Sequence, residues 1–79
     1  MNINTIVAVE PIKPLLLKLI YENGEIRFVD MEQYCKTDYF NQLRDWEYFS
    51  KVKLVFNVPT FPNGHDIAPE TLYLDSKKV

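Results

Sequence analysis

The sequence is short of the residue types that most often carry chemistry. It has one histidine, one cysteine and two glycines among 79 residues. A single cysteine excludes an intramolecular disulfide, and two isolated glycines exclude a glycine-rich phosphate loop. Cys35 and His65 show no paired-ligand spacing of the kind a zinc site needs, and the surroundings of Cys35 do not resemble a nucleophile's turn. We therefore predict no metal, no cofactor and no catalytic residue.

Positive charge and long apolar runs are also scarce. Nine Lys and Arg stand against eleven Asp and Glu, a net charge of −2, whereas direct nucleic-acid binding needs a basic patch. The apolar runs, such as Leu15–Leu17 and Leu19–Tyr21, are too short to cross a bilayer, and the N-terminus lacks the features of a signal peptide. We expect a soluble, cytoplasmic protein with no direct contact to nucleic acid or membrane.

Apolar side chains, by contrast, are plentiful. They make up 47% of the chain, and aromatic residues make up 14%, which is enough for a packed core. We predict one domain over residues 1–79, with residues 75–79 frayed. A chain of this length buries only about 60% of its surface and has little scaffold to spare for a deep pocket. This argues against an enzyme.

Richness in β-branched residues predicts a strand over residues 3–9 that is closed by Glu10–Pro11. After a loop bracketed by Pro11 and Pro14, a second strand is predicted over residues 15–21. Asn23–Gly24 is the preferred two-residue loop of a type I′ hairpin, and it places Leu19 opposite Phe28. The predicted core face carries Leu15, Leu17, Leu19, Tyr21, Ile26 and Phe28. The predicted outer face carries Leu16, Lys18, Ile20, Arg27 and Val29. Three apolar residues on that outer face, Leu16, Ile20 and Val29, predict a homodimer.

Short helical turns follow the hairpin. Asp30 and Asp45 each precede a short apolar run and are predicted N-caps, and Thr37 or Asp38 is predicted to cap a further turn between them. These turns are too short to be stable without packing on the sheet.

A second strand pair and a terminal helix complete the predicted fold. Alternation predicts one strand through residues 51–58, which ends at Pro59 and returns at Thr60–Phe61. The buried face of that strand would carry Val52, Leu54, Phe56 and Val58. Pro69 suits the first position of a helix, which would dock through Leu72 and Tyr73.

The segment FPNGHDIAPETLY, residues 61–73, looks most like a site, because it gathers turn formers, the histidine and an aspartate. Pro62–Gly64 predicts a turn, since Asn and Gly tolerate positive φ. Asp66 is predicted to anchor the start of the following helix, because Ala68 is a poor N-cap. His65 is predicted to be an exposed turn residue. We therefore interpret the segment as structural.

Three stretches resemble the bacterial domain-of-unknown-function 2442 family: YENGEIRFVD, FNQLRDWEYFSKVKLVF and FPNGHDIAPETLY. The family signature is an aromatic residue followed by Pro-Asn-Gly-x-Asp-x-x-Pro-x-x-Leu. It is matched at Phe61, Pro62, Asn63, Gly64, Asp66, Pro69 and Leu72, which we treat as the candidate binding residues and interpret as structural. The family more often has Trp at the position of Phe61 and a capping residue at that of Ala68. It has no established activity, so the resemblance implies no catalytic residue.

The resemblance implies an α+β fold: a small antiparallel sheet built as a hairpin meander, a second strand pair, short helices and a C-terminal helix. Some relatives are joined to a helix-turn-helix domain, and some stand-alone relatives look like partners in toxin–antitoxin-like gene pairs. We expect a non-enzymatic protein-interaction module, the antitoxin-like member of such a pair, with a small toxin-like protein as partner. The alternative is a small-molecule-sensing or regulatory domain that acts through a separate DNA-binding partner.

Overall fold

The computed structural model describes residues 5–36 and 41–78. The strands are β1 (Ile6–Lys13), β2 (Leu16–Tyr21), β3 (Ile26–Asp30), β4 (Lys53–Val55), β5 (Val58–Thr60) and β6 (Lys77–Lys78). The helical segments are 3₁₀ turns at Met31–Tyr34 and Gln42–Arg44, α1 (Trp46–Phe49) and α2 (Pro69–Asp75). One antiparallel sheet has the order β1-β2-β3-β6, and β4 and β5 form a separate pair. This confirms the predicted α+β architecture.

The first strand is longer than predicted. β1 continues through Pro11 to Lys13, whereas the sequence places a loop there. Proline is tolerated because β1 is an edge strand of the sheet, where a missing N–H costs little. The chain instead turns at residues 14–15, with Leu15 at a φ of 66°. Residues 3 and 4 of the predicted strand lie outside the described residues.

The β2–β3 loop has three residues rather than the predicted two. The Gly24 N–H donates to the Tyr21 carbonyl at 2.9 Å, and the Tyr21 N–H donates to the Glu25 carbonyl at 2.9 Å. Gly24 has a φ of 88°, while Asn23 stays at negative φ. This is a turn followed by a left-handed glycine, and it requires positive φ at one residue instead of two.

The extra loop residue shifts the register by one position and exchanges the two faces of β3. Val29, predicted on the outer face, pairs with Leu17 and is fully buried. Ile26 and Phe28, predicted in the core, pair with Ile20 and Lys18 on the outer face. The predicted core positions Leu17, Leu19 and Tyr21 of β2 are confirmed.

The register also brings Arg27 to the core side of the sheet, opposite Leu19. Its guanidinium lies 4.2 Å from the centroid of the Tyr73 ring and donates to the Glu25 carboxylate and to the Ser76 hydroxyl and carbonyl. We call these contacts the Arg27 clamp. The Glu25 carboxylate and the Tyr73 ring stabilise the Arg27 charge beside the core, in place of the water that would otherwise solvate it.

The clamp orders the C-terminal segment that the sequence predicts to fray. Residue 75 ends α2, Ser76 is buried, and β6 pairs with β3 through Phe28 and Lys77. The predicted frayed tail is therefore wrong for residues 75–78, and Val79 lies outside the described residues.

Two of the predicted helix caps are confirmed. The Asp30 and Asp45 carboxylates each accept a hydrogen bond from the backbone N–H two residues ahead, at 3.0 and 3.1 Å. The third predicted cap, at Thr37 or Asp38, lies outside the described residues. The core fills the space between these helical segments and one face of the sheet. Its buried apolar residues include Ile6, Leu17, Val29, Met31, Leu43, Phe49 and Leu72.

The second strand pair exists, but its turn lies elsewhere than predicted. Phe56 and Asn57 join β4 to β5, with φ values of 51° and 64°, where the sequence pattern predicts a continuous strand. Phe56, predicted to be buried, is 94% exposed, because alternation stops at a turn. Pro59, predicted to end the strand, is buried within β5.

Candidate functional site

The signature segment begins with a closed loop over residues 61–65. The Phe61 N–H donates to the His65 carbonyl and the Gly64 N–H donates to the Phe61 carbonyl, both at 2.8 Å. The His65 N–H donates to Asn63 Oδ1 at 3.2 Å, and Gly64 has a φ of 90°. The predicted turn at Pro62–Gly64 is confirmed.

His65 is buried, with 6% of its surface exposed, so the prediction of an exposed turn residue is wrong. The loop hydrogen bonds place His65 opposite Phe61, and opposite residues of an antiparallel pair share a face. Phe61 is itself buried. Turn residues are usually solvated, but here the turn ends at Gly64, and His65 lies in the segment that returns beside residues 60–61.

Both ring nitrogens of His65 contact polar side chains. Tyr48 Oη lies 2.9 Å from Nδ1, and Asn63 Nδ2 lies 3.1 Å from Nε2. The Tyr48 hydroxyl also donates to Asn63 Oδ1, and Asn63 Nδ2 donates to Gln42 Oε1 at 3.2 Å. We call these four residues the Asn63 cluster.

The directions of these hydrogen bonds follow from the Asn63 amide. The backbone N–H of His65 requires an acceptor, so the amide oxygen must face it and Nδ2 must face the imidazole. With Nδ2 facing it, a neutral imidazole accepts at Nε2 and carries its proton on Nδ1, which then donates to Tyr48 Oη. Tyr48, Asn63 and His65 thus form a closed ring in which each side chain both donates and accepts.

Aromatic packing holds the same loop against α1. The Tyr48 and Phe61 rings stack with centroids 5.8 Å apart at 13°, and Phe49 lies 5.6 Å from Phe61. Phe61 is thus a buried anchor, as the structural interpretation of the signature predicts.

Asp66 does not anchor the helix, so that prediction is wrong. The N-cap position of α2 is Ala68, and no side chain among the described residues caps it. Asp66 is exposed, and its backbone forms a β-bridge with Thr60. Asp66 therefore lies in the segment that pairs with Thr60, two positions before the N-cap of α2. The two remaining signature residues hold the helix as predicted: Pro69 is its first residue and Leu72 is buried.

The sequence does not reveal two members of the Asn63 cluster. Tyr48 and Gln42 lie 15 and 21 positions from Asn63, and no local pattern connects them to it. The available signal is weak: a tyrosine within an amphipathic turn, which buries its ring and needs a partner for its hydroxyl. The adjoining surface groove of about 260 Å³ is polar. It is lined by Gln42, Asp45, Glu47, Tyr48, Lys51 and Pro62.

The remaining candidate for chemistry, Cys35, is buried. Burial raises the pKa of its thiol, and its Sγ lies 3.6 Å from the Met31 carbonyl. A raised pKa lowers the thiolate fraction that reacts. Within residues 5–36 and 41–78, no group of three or more His, Cys, Asp or Glu could hold a metal ion.

Exposed apolar side chains form a different kind of candidate site. Phe56 and Val55 lie together in the β4–β5 hairpin, and Asn57 Nδ2 donates to the Ile6 carbonyl at 3.0 Å. We call Val55, Phe56 and Asn57 the hairpin tip. The hydrogen bond to Ile6 fixes the tip beside β1, so Phe56 projects from a supported turn.

These features define a small α+β domain with a packed signature loop and an exposed apolar hairpin tip. A family model described as "Protein of unknown function (DUF2442)" matches residues 6–78. The chain belongs to this family. No curated protein and no solved structure matches the chain. Among the described residues, no helix has the length and apolar character needed to span a bilayer.

Proposed function

We propose that this chain is a non-enzymatic protein-interaction module and that the hairpin tip is its binding surface. The observation that carries the proposal is Phe56, a large aromatic side chain that is 94% exposed on a residue with positive φ. Aromatic residues dominate the energetics of protein interfaces, and the tip presents one with almost no intramolecular burial.

The energetics of the turn support this reading. A two-residue hairpin turn with both residues left-handed favours Asn-Gly, whereas this chain has Phe56-Asn57. A left-handed conformation costs a residue with a Cβ about 1–2 kcal/mol. The Phe56 ring is exposed, so its packing within the chain contributes little stabilisation to offset that cost. Burial of a phenylalanine side chain against a partner would return roughly 1.5–3 kcal/mol.

The signature residues support the non-enzymatic part of the proposal. Phe61 and Leu72 are buried, Gly64 closes the loop, and Asn63 joins three side chains. Each of these roles contributes to folding. A residue held in place this way needs no further function to explain its presence.

We propose a small toxin-like protein, encoded beside this chain, as the partner that the module neutralises, and the cytoplasm as its location. A lone reduced cysteine suits that compartment. The tip also fits a protein partner better than a metabolite, because a protruding aromatic side chain needs a pocket on the other molecule.

The test is co-expression with the product of the neighbouring gene, followed by purification of the complex. The unsubstituted chain should retain one stoichiometric protein and Phe56→Asn should lose it. Leu74→Asn removes another exposed apolar side chain, 66% exposed on α2, and should retain the partner. Equal retention by all three chains would refute the tip as the surface. A bound metabolite without a protein partner would favour a small-molecule-sensing domain instead.

A further inference from the structure

A groove of about 430 Å³ lies along β3 at the edge of the sheet that β6 closes. Leu16 and Phe28, on the outer face of the sheet, supply its apolar lining. The exposed rim is formed by Asp30, Gln33, Asp75 and Lys77. Two carboxylates and one ammonium group give the rim a net charge of −1.

The hairpin tip has the opposite character. Exposed Lys51 and Lys53 precede it, and Lys53 and Val55 share one face of β4 because side chains alternate along a strand. Asp66 lies in the same cross-strand row as Lys53, beyond Thr60, and so is farther from Phe56. The hairpin tip is therefore apolar, and the lysines that precede it in the sequence give its surroundings a positive charge.

We propose that the hairpin tip of one copy of this chain docks into the groove of a second copy. Phe56 would cover Leu16 and Phe28, and Lys53 would approach the Asp30 and Asp75 carboxylates. The groove has room for the ring, since an apolar cavity of roughly 150 Å³ already holds a benzene molecule. The inference rests on the proposed function and names a second copy as a partner of the same surface.

The contact must form between molecules. Asn57 holds the tip beside Ile6, at the end of β1 that pairs with Tyr21. The groove starts at Leu16, at the other end of β2, and extends across β3 to β6. Three strand spacings, about 14 Å, separate β1 from β6. A tip fixed at one edge cannot reach a groove at the other edge of the same chain.

This contact gives the predicted homodimer a different basis. The sequence assigns the dimer surface to Leu16, Ile20 and Val29, but Val29 is fully buried. The outer face instead gains Phe28 from the shifted register. Leu16 remains at the surface, in the groove.

The first test is sedimentation over a concentration series up to the millimolar range. We expect self-association of the unsubstituted chain, as dimers or head-to-tail chains, and at least tenfold weaker association of Phe56→Asn. The same variant should melt at a higher temperature, because asparagine suits a left-handed turn. Leu74→Asn should associate like the unsubstituted chain. Loss of association together with a lower melting temperature would indicate unfolding and count against docking.

Charge reversal tests the pairing of tip and rim. Lys53→Glu and Asp75→Lys should each weaken association, and the double variant should recover part of it. Asp75→Asn, which keeps an acceptor for the Tyr34 hydroxyl, separates the loss of charge from the loss of that bond. Equal weakening by the single and double variants would contradict the pairing.

Mixing gives the sharpest result. Phe56→Asn keeps an intact groove, and Asp75→Lys keeps an intact tip, so an equimolar mixture should form a dimer that neither variant forms alone. A monomeric unsubstituted chain, or association insensitive to Phe56→Asn, would overturn this inference. If that chain still bound the neighbouring protein through Phe56, the proposed function would stand. Partner binding without Phe56 would overturn the proposed function itself.

Discussion

The chain contains two loops with the same backbone and different surroundings. Residues 21–25 and 61–65 each place Asn-Gly third and fourth, each close with the same pair of backbone hydrogen bonds, and each carry left-handed glycine. In both, the asparagine Oδ1 accepts from the N–H of the fifth residue. The first loop is a solvent-exposed hairpin end. The second is joined to the Asn63 cluster, in which Tyr48 and His65 are buried and Gln42 and Asn63 are exposed.

Both asparagines are exposed, and the difference lies in the contacts that their side chains make outside their own loops. The Asn23 side chain accepts the hydrogen bond within its own loop. Asn63 uses the same oxygen for Tyr48 and its amide nitrogen for Gln42 and His65. The local sequence therefore determines the loop conformation, while residues far away in the sequence determine what the loop does for the fold.

Alanine at the two asparagines should give the largest contrast. Asn63→Ala removes partners from Tyr48, His65 and Gln42 and should cost about 2–4 kcal/mol of unfolding free energy. Asn23→Ala removes one exposed hydrogen bond and should cost about 0.5–1.5 kcal/mol. Urea unfolding of both variants measures the difference. Equal losses would mean that the Asn63 cluster contributes nothing beyond its turn.

The next largest effect concerns His65. His65→Ala empties a buried position and removes two hydrogen-bond partners, so we expect a loss of about 2–3 kcal/mol. Asp66→Ala, the control, changes an exposed side chain and should stay within about 0.5 kcal/mol. The sequence predicts the reverse order, with Asp66 as the anchor.

The imidazole ¹⁵N shifts provide an independent check on the His65 assignment. In the neutral imidazole, Nδ1 should carry the proton and Nε2 should carry none. A proton on Nε2 would mean that the Asn63 amide is turned the other way.

The two glycines should behave alike, because the backbones are alike. Gly24 and Gly64 have φ of 88° and 90°, and an added Cβ would meet no atom within 4 Å at either position. Gly24→Ala and Gly64→Ala should each cost about 1–2 kcal/mol from backbone strain alone. Thermal melting of the pair tests this. A difference above about 1 kcal/mol would show that the loops are not equivalent even in their backbones.

The smallest effect is expected at the first loop residue, Tyr21, which corresponds to Phe61 in the second loop. The buried Tyr21 hydroxyl has no hydrogen-bond partner among the described residues, so Tyr21→Phe should be neutral or stabilise by up to about 1 kcal/mol. Burial raises the pKa of Tyr21 to about 12, with Arg27 opposing the rise.

The raised pKa of Tyr21 gives the same variant a signature at alkaline pH. The unfolded chain loses the phenolic proton near pH 10 and the folded chain near pH 12, so ionisation favours unfolding as pH rises through this window. The unsubstituted chain should lose stability between pH 10 and 12, and Tyr21→Phe should lose less. Parallel curves for the two proteins would contradict the raised pKa.

Local signals account for the parts of the fold that the sequence predicts correctly. Asp30, Asp45 and Pro69 act within one helical turn of themselves, so their roles can be predicted without a fold. The strand pairs follow from alternation and from Asn23–Gly24. These features need no knowledge of distant residues.

The wrong predictions arise where the local sequence is compatible with two different structures. Ile26-Arg27-Phe28-Val29 offers an apolar pair on one face and Arg27 with Val29 on the other, and loop length decides between them. The pattern of apolar and polar residues predicts that an arginine lies on the outer face of a strand. Arg27 is accepted on the core side because Tyr73 and Ser76 contact it from nearly fifty positions away. The predictions for His65 and Phe56 are wrong for a related reason, the placement of a turn. His65 follows a turn that ends at Gly64, and Phe56 lies in a turn where alternation predicts a continuous strand.

The Arg27 clamp also bears on the order in which the domain can be completed. The first three strands are contiguous in sequence and can pair early, since their loops are short. Arg27 lies on the core side of that meander, yet until residues 73–76 arrive it has Glu25 alone to offset its desolvation. In a chain that stops before Tyr73, Arg27 lacks its contacts with Tyr73 and Ser76. The edge of β3 that pairs with β6 is also uncovered, and an uncovered strand edge promotes aggregation. We therefore expect a chain that ends before Tyr73 to be less stable than one that continues through Ser76.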